Sequence, residues 1–161
     1  MKNAYLYFVA AIAFVCLAVL VHEMSLAHNK LIIEKVFRQH AKAQEQLQGR
    51  DGAADERKGL NAYVGALQAI DVSKCPGDFR KAWNDYVTAR AENTELLLSA
   101  AQQTNTAEMT AWLEKNKLRP STLGDAMDKS QDRAFASYQH CVRIAASYGI
   151  KFKPVNMGFG D

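Results

Sequence analysis

The stretch DFRKAWNDYVTARAENTELLLSAAQ, residues 78–102, decides the fold class. Apolar side chains recur along it every three or four residues, a spacing that places them on one side of an α-helix. Asp78 lies in the first turn, where a carboxylate interacts favourably with the helix dipole. The stretch therefore predicts a long amphipathic helix with a broad buried face. Its apolar positions are Phe79, Ala82, Trp83, Tyr86, Val87, Ala89, Leu96, Leu97 and Ala100.

The rest of the chain favours helices as well. It has only 3 prolines and 9 glycines in 161 residues, and neither type occurs between Ala4 and Gln48. An apolar N-terminal helix is therefore predicted to continue directly into an amphipathic one, followed by a break at residues 49–52. Further helices are predicted over 53–70, 106–117 and 125–148, the last ended by Gly149. The buried stripe of the first amphipathic segment is predicted at Leu26, Ile33, His40 and Leu47, widened by Val36, Phe37 and Ala43.

These helices predict an all-α protein. Four long amphipathic helices with short links at two of three joints favour an antiparallel, up-down four-helix bundle, with a short extra helix in the crossover between helices three and four. The predicted domains are a start at 1–3, a membrane helix at 4–21, a bundle at 22–149 and an extended tail at 150–161.

The segment AYLYFVAAIAFVCLAVLV, residues 4–21, contains no charged side chain. As a helix it spans roughly 27 Å, close to the thickness of a bilayer's hydrocarbon core. An uncleaved signal anchor is favoured because the apolar centre of a cleaved signal peptide usually has about 7–15 residues. The alternative is a signal peptide cleaved after Ala27. Cys16 is interpreted as an ordinary membrane-facing cysteine.

The orientation of this helix has conflicting signals. Lys2 precedes it, whereas Lys30, Lys35 and Arg38 follow it, and the positive-inside rule alone places the bundle in the cytoplasm. A Met-Lys start followed at once by an apolar run is instead typical of export. We expect residues 1–3 in the cytoplasm and the bundle in the periplasm, with a single pass through a bacterial inner membrane.

Cys75 and Cys141 are predicted to form a disulfide. In the expected topology both lie near the membrane end of the bundle, and an oxidising compartment permits the bond. The bond would close a loop of about 66 residues, and a disulfide across a loop of that length stabilises a fold by about 4 kcal/mol. Two unlinked buried cysteines are the alternative. A metal site or a nucleophile is disfavoured because no CxxC spacing and no matching base accompany them.

Haem is the one cofactor for which candidate ligands exist. Met24 and His28 begin the extramembrane part of the first helix, and His140 lies near the end of the fourth, at the same end of the bundle. Interfacial or packing roles for these three are the alternative, and no cofactor or metal is predicted. His40, on an apolar stripe, is interpreted as a hydrogen-bonded core or edge histidine.

The sequence carries no recognisable catalytic motif, so we predict a protein without enzymatic activity. H-E-x-x-H, G-x-S-x-G and a phosphate-binding glycine loop are all missing. Glu92 and Glu95 are interpreted as part of a solvated face. A net charge of +3 without a clustered basic face argues against nucleic-acid binding.

The function expected from these features is binding. We expect a membrane-anchored bundle, in contact with the bilayer through residues 4–21, that binds a partner protein or an envelope component. The alternatives are a haem- or small-ligand-binding bundle and an accessory subunit of a membrane complex. A cavity of about 300 Å³ or more lined by aromatic side chains would favour a ligand. The aromatic set is Trp83, Tyr86, Trp112, Tyr138 and Tyr148.

Overall fold

A computed structural model describes residues 2–48, 53–103, 106–119 and 122–152, and within these ranges the chain is helical without strands. The all-α class is therefore confirmed, and each predicted helix ends within two residues of its predicted position. The predicted break at 49–52 and the tail beyond residue 152 lie outside the described residues. The helices are α1 (Lys2–Gln48), α2 (Ala53–Gln68), α3 (Gly77–Ala101), α4 (Thr106–Lys115) and α5 (Leu123–Ser147).

Helix α1 has two parts with opposite environments. Every side chain from Phe14 to Ser25 is exposed, including Phe14 at 74% and Met24 at 73%. Ile33 is the first fully buried side chain. By length and composition, α1 is long and apolar enough to cross a membrane, and it is the single such helix in the part of the chain that was described. We call residues 14–32 the outer segment and residues 33–47 the inner segment.

An aromatic group fills the core next to the start of the inner segment. The rings of Phe79 and Trp83 stack with their centroids 6.3 Å apart. Phe37 meets them edge-on at 5.8 and 6.3 Å, and Phe152 packs against Phe37 at 4.8 Å. Fully burying one such side chain is worth about 1.5–3 kcal/mol, so this group carries a large share of the stability. We call Phe37, Phe79, Trp83, Cys141 and Phe152 the apolar layer.

Helices α3 and α5 pack more extensively than any other pair. Asp78 accepts a hydrogen bond from Tyr148 at 3.0 Å, and the rings of Tyr86 and Tyr138 lie 5.2 Å apart. Arg133 also donates to Glu92. The residue numbers rise on one helix as they fall on the other, so the two helices run in opposite directions. Residues of α3 and α5 that lie opposite each other therefore have residue numbers that add up to about 225.

This register separates the two cysteines that were predicted to form a disulfide. The residue numbers of Cys75 and Cys141 add up to 216, nine less than for residues that lie opposite each other. Nine residues correspond to about 13 Å along a helix. Ile150, not Cys141, lies level with Cys75. Both thiols are buried and free, and the sulfurs are not at disulfide distance. The structure therefore does not contain the predicted disulfide, because the two residues are offset by more than two helical turns.

The end of α5 turns the chain back onto the core. Gly149 adopts a φ of +79°, a left-handed conformation that other residues rarely take, and it ends the helix as predicted. Ile150 is consequently buried, and Phe152 reaches Phe37. Residues 150–152, at the start of the tail that was expected to be extended, form no helix, and two of their side chains pack on the core.

Candidate functional site

A histidine and two tyrosines form a polar triangle in the core, one helical turn beyond the apolar layer. The Nε2 atom of His40 lies 3.0 Å from the hydroxyl oxygens of both Tyr63 and Tyr86. The two hydroxyl oxygens are themselves 3.0 Å apart. His40 is 2% exposed, so water does not surround this group. The prediction that His40 is a hydrogen-bonded core histidine is confirmed.

Two further rings hold the His40 imidazole in place. Tyr138 stacks on it with ring centroids 5.2 Å apart, and Trp83 meets it edge-on at 5.8 Å. We call His40, Tyr63, Tyr86 and Tyr138 the His–Tyr cluster. Its members come from α1, α2, α3 and α5, one from each of the long helices. The cluster therefore depends on the packing of all four.

Burial keeps these groups uncharged at neutral pH. Loss of solvent lowers the pKa of His40 to about 4, and the nearby Arg90 guanidinium contributes to this lowering. Burial also raises the pKa values of Tyr63, Tyr86 and Tyr138. The imidazole is therefore neutral and the three phenols keep their protons.

The protons of the triangle have more than one arrangement. A neutral imidazole carries one proton, on either Nδ1 or Nε2. With the proton on Nδ1, one tyrosine donates to Nε2 and the second tyrosine donates to the first, so both hydroxyl protons have acceptors inside the triangle. With the proton on Nε2, His40 donates to one tyrosine, that tyrosine donates to the other, and the last hydroxyl proton needs an acceptor elsewhere. The Gln44 side chain lies within hydrogen-bonding reach of Tyr63.

A cavity of about 240 Å³ opens beside the triangle. It falls short of the 300 Å³ or more that would favour a drug-sized ligand, but it has room for a smaller molecule. Phe135 is half-exposed at its wall, and the exposed amides of Gln44 and Gln131 lie at its edge. The lining residues are His40, Gln44, Tyr63, Tyr86, Arg90, Gln131, Ala134, Phe135 and Tyr138.

Arg90 is the one charged side chain in this lining. Its guanidinium carbon lies 5.6 Å from the ring centroid of Tyr63, and Nη1 donates to Oδ1 of Asn93 at 3.3 Å. Within the described ranges no carboxylate lies within ion-pairing distance of it. The cavity therefore presents a half-buried positive charge that has neutral partners.

The three haem candidates do not converge. Met24 and His28 are exposed on the outer segment of α1, and His140 is exposed on α5. Tyr138 contacts both Phe37 and His40, so His140 lies level with that part of α1. His28 is at least nine residues away along α1, about 13 Å. These three side chains have no common position from which to hold one haem iron.

Burial raises the pKa of the Cys75 thiol to about 11 and that of Cys141 to about 12. Both are therefore protonated at neutral pH, the form that neither binds metals nor attacks electrophiles. Among the described residues, no three His, Cys, Asp or Glu side chains lie close enough together to hold a metal ion. The two cysteines pack as small apolar side chains.

A second, more open depression of about 510 Å³ lies between α2 and α3. We call it the α2–α3 groove; Asn61, Val64, Gly65, Gln68, Ala91, Thr94, Glu95, Leu98, Ser99 and Gln102 line it. Thr94 is 2% exposed, and its hydroxyl has no hydrogen-bond partner among the described residues. The short side chains of Ala91 and Ser99 leave room for another chain to approach closely.

The sequence indicated part of this site. It identified His40, and it placed Trp83 and Tyr86 on the buried face of one helix, but it did not connect them. Tyr63 and Arg90 were not identified as site residues. The available signal was that each long helix carries at least one ring with a polar atom among its apolar positions.

No protein-family model matches the chain, and searches of curated proteins and of solved structures return no match.

Proposed function

We propose that the chain is a membrane-anchored, non-enzymatic binding protein whose helical bundle holds a small ligand beside the His–Tyr cluster. The observation that carries this proposal is the cavity itself. It is walled by aromatic rings from four helices, and it borders a triangle of hydrogen-bonding groups. Concave aromatic sites with a few convergent polar groups are typical of small-molecule binding.

An antiparallel four-helix bundle is the arrangement that these contacts support. Besides α3 and α5, the pairs α1–α2 and α2–α3 pack against each other. Short connections between α1, α2 and α3 favour opposite directions for neighbouring helices, and α4 lies in the longer crossover. The arrangement places His40 at the centre, where all four helices reach it.

Anchoring in a membrane is supported by the outer segment of α1. Exposed apolar side chains follow one another along it, a larger apolar surface than soluble monomers usually display. Residues 22–32 separate the uncharged segment from the first buried side chain by about 16 Å of helix. We propose that 4–21 spans a bacterial inner membrane once and that the bundle lies just above the headgroups, in the periplasm.

A membrane-impermeant maleimide tests this orientation. Ala136 is exposed on α5, whereas Cys75 and Cys141 are buried. In Ala136→Cys we expect rapid labelling in cells whose outer membrane alone is permeabilised. The parent chain, whose Cys16 lies within the proposed span, is the control and should label far more slowly. Labelling of the variant only after the inner membrane is broken would place the bundle in the cytoplasm.

Binding is favoured over catalysis by the proton affinities in the cluster. A general acid or base works best with a pKa near the operating pH. Here the pKa of His40 falls to about 4, and burial moves those of the tyrosines upward, away from neutrality. The groups are suited to holding a ligand by hydrogen bonds.

The binding proposal is tested by thermal melting of the full chain in nanodiscs with a panel of benzoate, benzamide and benzylamine. We expect at least one compound to raise the melting temperature. Ala134→Leu fills the cavity and should abolish that shift, because Ala134 lines it. Ala146→Leu, on an exposed position of the same helix, should not. If no compound raises the melting temperature, or if both variants show the same rise, the proposal is wrong.

An accessory-subunit function is the second candidate, and the α2–α3 groove favours it. A helix of a partner in the same membrane would pack against its short side chains. A Cβ atom at Gly65 meets nothing within 4 Å, so Gly65→Leu adds an apolar side chain to the lining of the groove from an open position. We expect this variant to lose a protein that co-purifies in mild detergent while its melting temperature is maintained. Co-purification that is unaffected would rule out the groove as the docking site.

A further inference from the structure

We propose that the ligand of the cavity is a small aromatic monocarboxylate, with its carboxylate on Arg90 and the hydroxyl of Tyr86 and its ring between Tyr138 and Phe135. The proposal rests on the proposed function, namely that this cavity holds a small ligand. It adds the chemical class of that ligand and the side chains that select it.

The size of the cavity sets the size of the ligand. About 240 Å³ corresponds to roughly eight water molecules at their volume in the liquid. An apolar cavity of about 150 Å³ in another protein accommodates benzene. The space beside His40 therefore holds one six-membered ring with a short polar substituent, and it is too small for a haem or a nucleotide.

The charge of the site selects an anion. Arg90 is half-buried, and the side chains around it in the lining are neutral. Its contacts with the Tyr63 ring and the Asn93 amide leave several N–H groups of the guanidinium available. A planar guanidinium matches a carboxylate in a paired hydrogen-bond geometry, and it does so most strongly away from bulk water.

The triangle has a donor to offer at the same place. When Nε2 carries the imidazole proton, His40 can donate to either tyrosine, since both oxygens lie 3.0 Å away. If it donates to Tyr63 and Tyr63 donates to Tyr86, the hydroxyl proton of Tyr86 remains for an acceptor in the cavity that Tyr86 lines. In the reverse order the last proton is on Tyr63, which Gln44 reaches, so an anion in the cavity favours the order that ends at Tyr86. A carboxylate oxygen completes the chain, whereas an ammonium group offers no acceptor.

The remaining walls select a ring. Tyr138 already stacks on His40, and the half-exposed Phe135 lies in the same lining. Aromatic rings prefer offset-stacked or edge-to-face neighbours with centroids about 4.5–7 Å apart. A flat ring gains these contacts on entering between them, and it covers the exposed part of Phe135.

The test is a calorimetric titration of the full chain in nanodiscs, with empty nanodiscs as the blank. Benzoate, benzamide and benzylamine share the same ring and differ in the charge of the substituent. We expect benzoate to bind at least about tenfold more tightly than benzamide, because a charged hydrogen bond replaces a neutral one, and benzylamine to bind most weakly.

Matched variants assign the selectivity to Arg90. Arg90→Gln should remove the preference for benzoate over benzamide. Arg133→Gln changes an exposed arginine that pairs with Glu92 outside the cavity, and it should leave the preference unchanged. If Arg90→Gln does not fold, Gln131→Glu provides the same test from an exposed position. It places a negative charge at the edge of the cavity and should weaken benzoate several-fold while sparing benzamide.

The outcomes distinguish a failure of the carboxylate assignment from a failure of the proposal that the cavity binds a small ligand. If benzamide or benzylamine binds as tightly as benzoate, the cavity is a ligand site but the carboxylate assignment is wrong. If none of the three binds, the proposed function fails as well. Benzoate binding that survives both Arg90→Gln and Gln131→Glu would show that the anion lies elsewhere.

Discussion

The apolar layer and the His–Tyr cluster are neighbours in one core, yet they are built differently. In the apolar layer, Phe37 meets Phe79, Trp83 and Phe152, and all three ring contacts are edge-on. In the His–Tyr cluster, about one turn further along α1, polar atoms meet in a triangle beside a cavity of about 240 Å³. The first region is joined by ring contacts alone, and the second combines rings with hydrogen bonds.

The difference indicates where stability and function lie. Protein interiors normally pack without voids larger than a water molecule, and buried polar groups normally find all their partners. The His–Tyr cluster departs from the first rule at its cavity, and such a departure is expected at a functional site. A depression of about 260 Å³ also lies beside Trp83 of the apolar layer, but its lining has no charged side chain and only one ring. The apolar layer joins α1, α3 and α5 next to the cluster.

Removing the largest ring of the apolar layer should have the largest effect. Trp83→Ala truncates a fully buried side chain and should lower the free energy of unfolding by about 3–5 kcal/mol. Urea unfolding in detergent, followed by far-UV circular dichroism, measures this loss. Trp112→Ala, which truncates the half-buried tryptophan of α4, is the control and should cost clearly less. If both variants lose the same free energy of unfolding, the apolar layer is not the main source of stability.

Acid should destabilise the protein through the cluster. The pKa of His40 is about 4 in the fold and near 6.5 in the unfolded chain, so the unfolded chain binds more protons between these values. Stability therefore falls as the pH drops from about 7 to 4, by about 3 kcal/mol in all. Urea midpoints across this range test it.

The controls for the acid effect are two histidine variants. His40→Gln should lose this part of the pH dependence, whereas His140→Gln, at an exposed position, should retain it. If His40→Gln keeps the full acid sensitivity, another group is responsible and the description of the cluster is wrong.

Removing one hydroxyl of the triangle should have a smaller effect. Tyr86→Phe deletes a buried hydrogen-bonding group and should cost about 1–2 kcal/mol. Tyr148→Phe deletes a hydroxyl that donates to Asp78 at the surface, and it should cost less. Paired thermal and urea unfolding measurements compare the two. A Tyr86→Phe variant as stable as the parent chain would mean that the triangle makes no net contribution.

The smallest effect is expected at a position in neither region. Gly65 lies in α2 at an exposed position with free space around it. Gly65→Ala should stabilise the protein by about 0.5–1 kcal/mol through helix propensity alone. The same unfolding measurement checks it, and a destabilised variant would show that α2 packs more closely here than the structure indicates.

The helices were predictable because their signals are local. Apolar spacing located all five, and Gly149 marked the end of α5. The buried positions Ile33, Val36 and Ala43 followed from the same periodicity. The register between helices was not predictable, because it depends on which side chains of two distant segments meet. For this reason Cys75 and Cys141 were paired wrongly.

The site was predictable only in its parts. A histidine on an apolar stripe indicated a buried partner, and the tyrosines indicated a core position. The meeting of His40 with Tyr63 and Tyr86 is a long-range contact, across 23 and 46 residues, that no local pattern specifies. That Arg90 has no carboxylate partner among the described residues becomes visible only when its neighbours in the fold are known.

A carboxylate bound in the cavity should fix the proton arrangement of the His–Tyr cluster. Two-bond proton–nitrogen NMR of His40, recorded in nanodiscs without and with saturating benzoate, reports which ring nitrogen carries the proton. We expect a neutral imidazole at pH 7 and, with benzoate bound, a proton on Nε2. A His40 that titrates near pH 6.5, or whose spectrum benzoate leaves unchanged, would show that no carboxylate binds at the cluster.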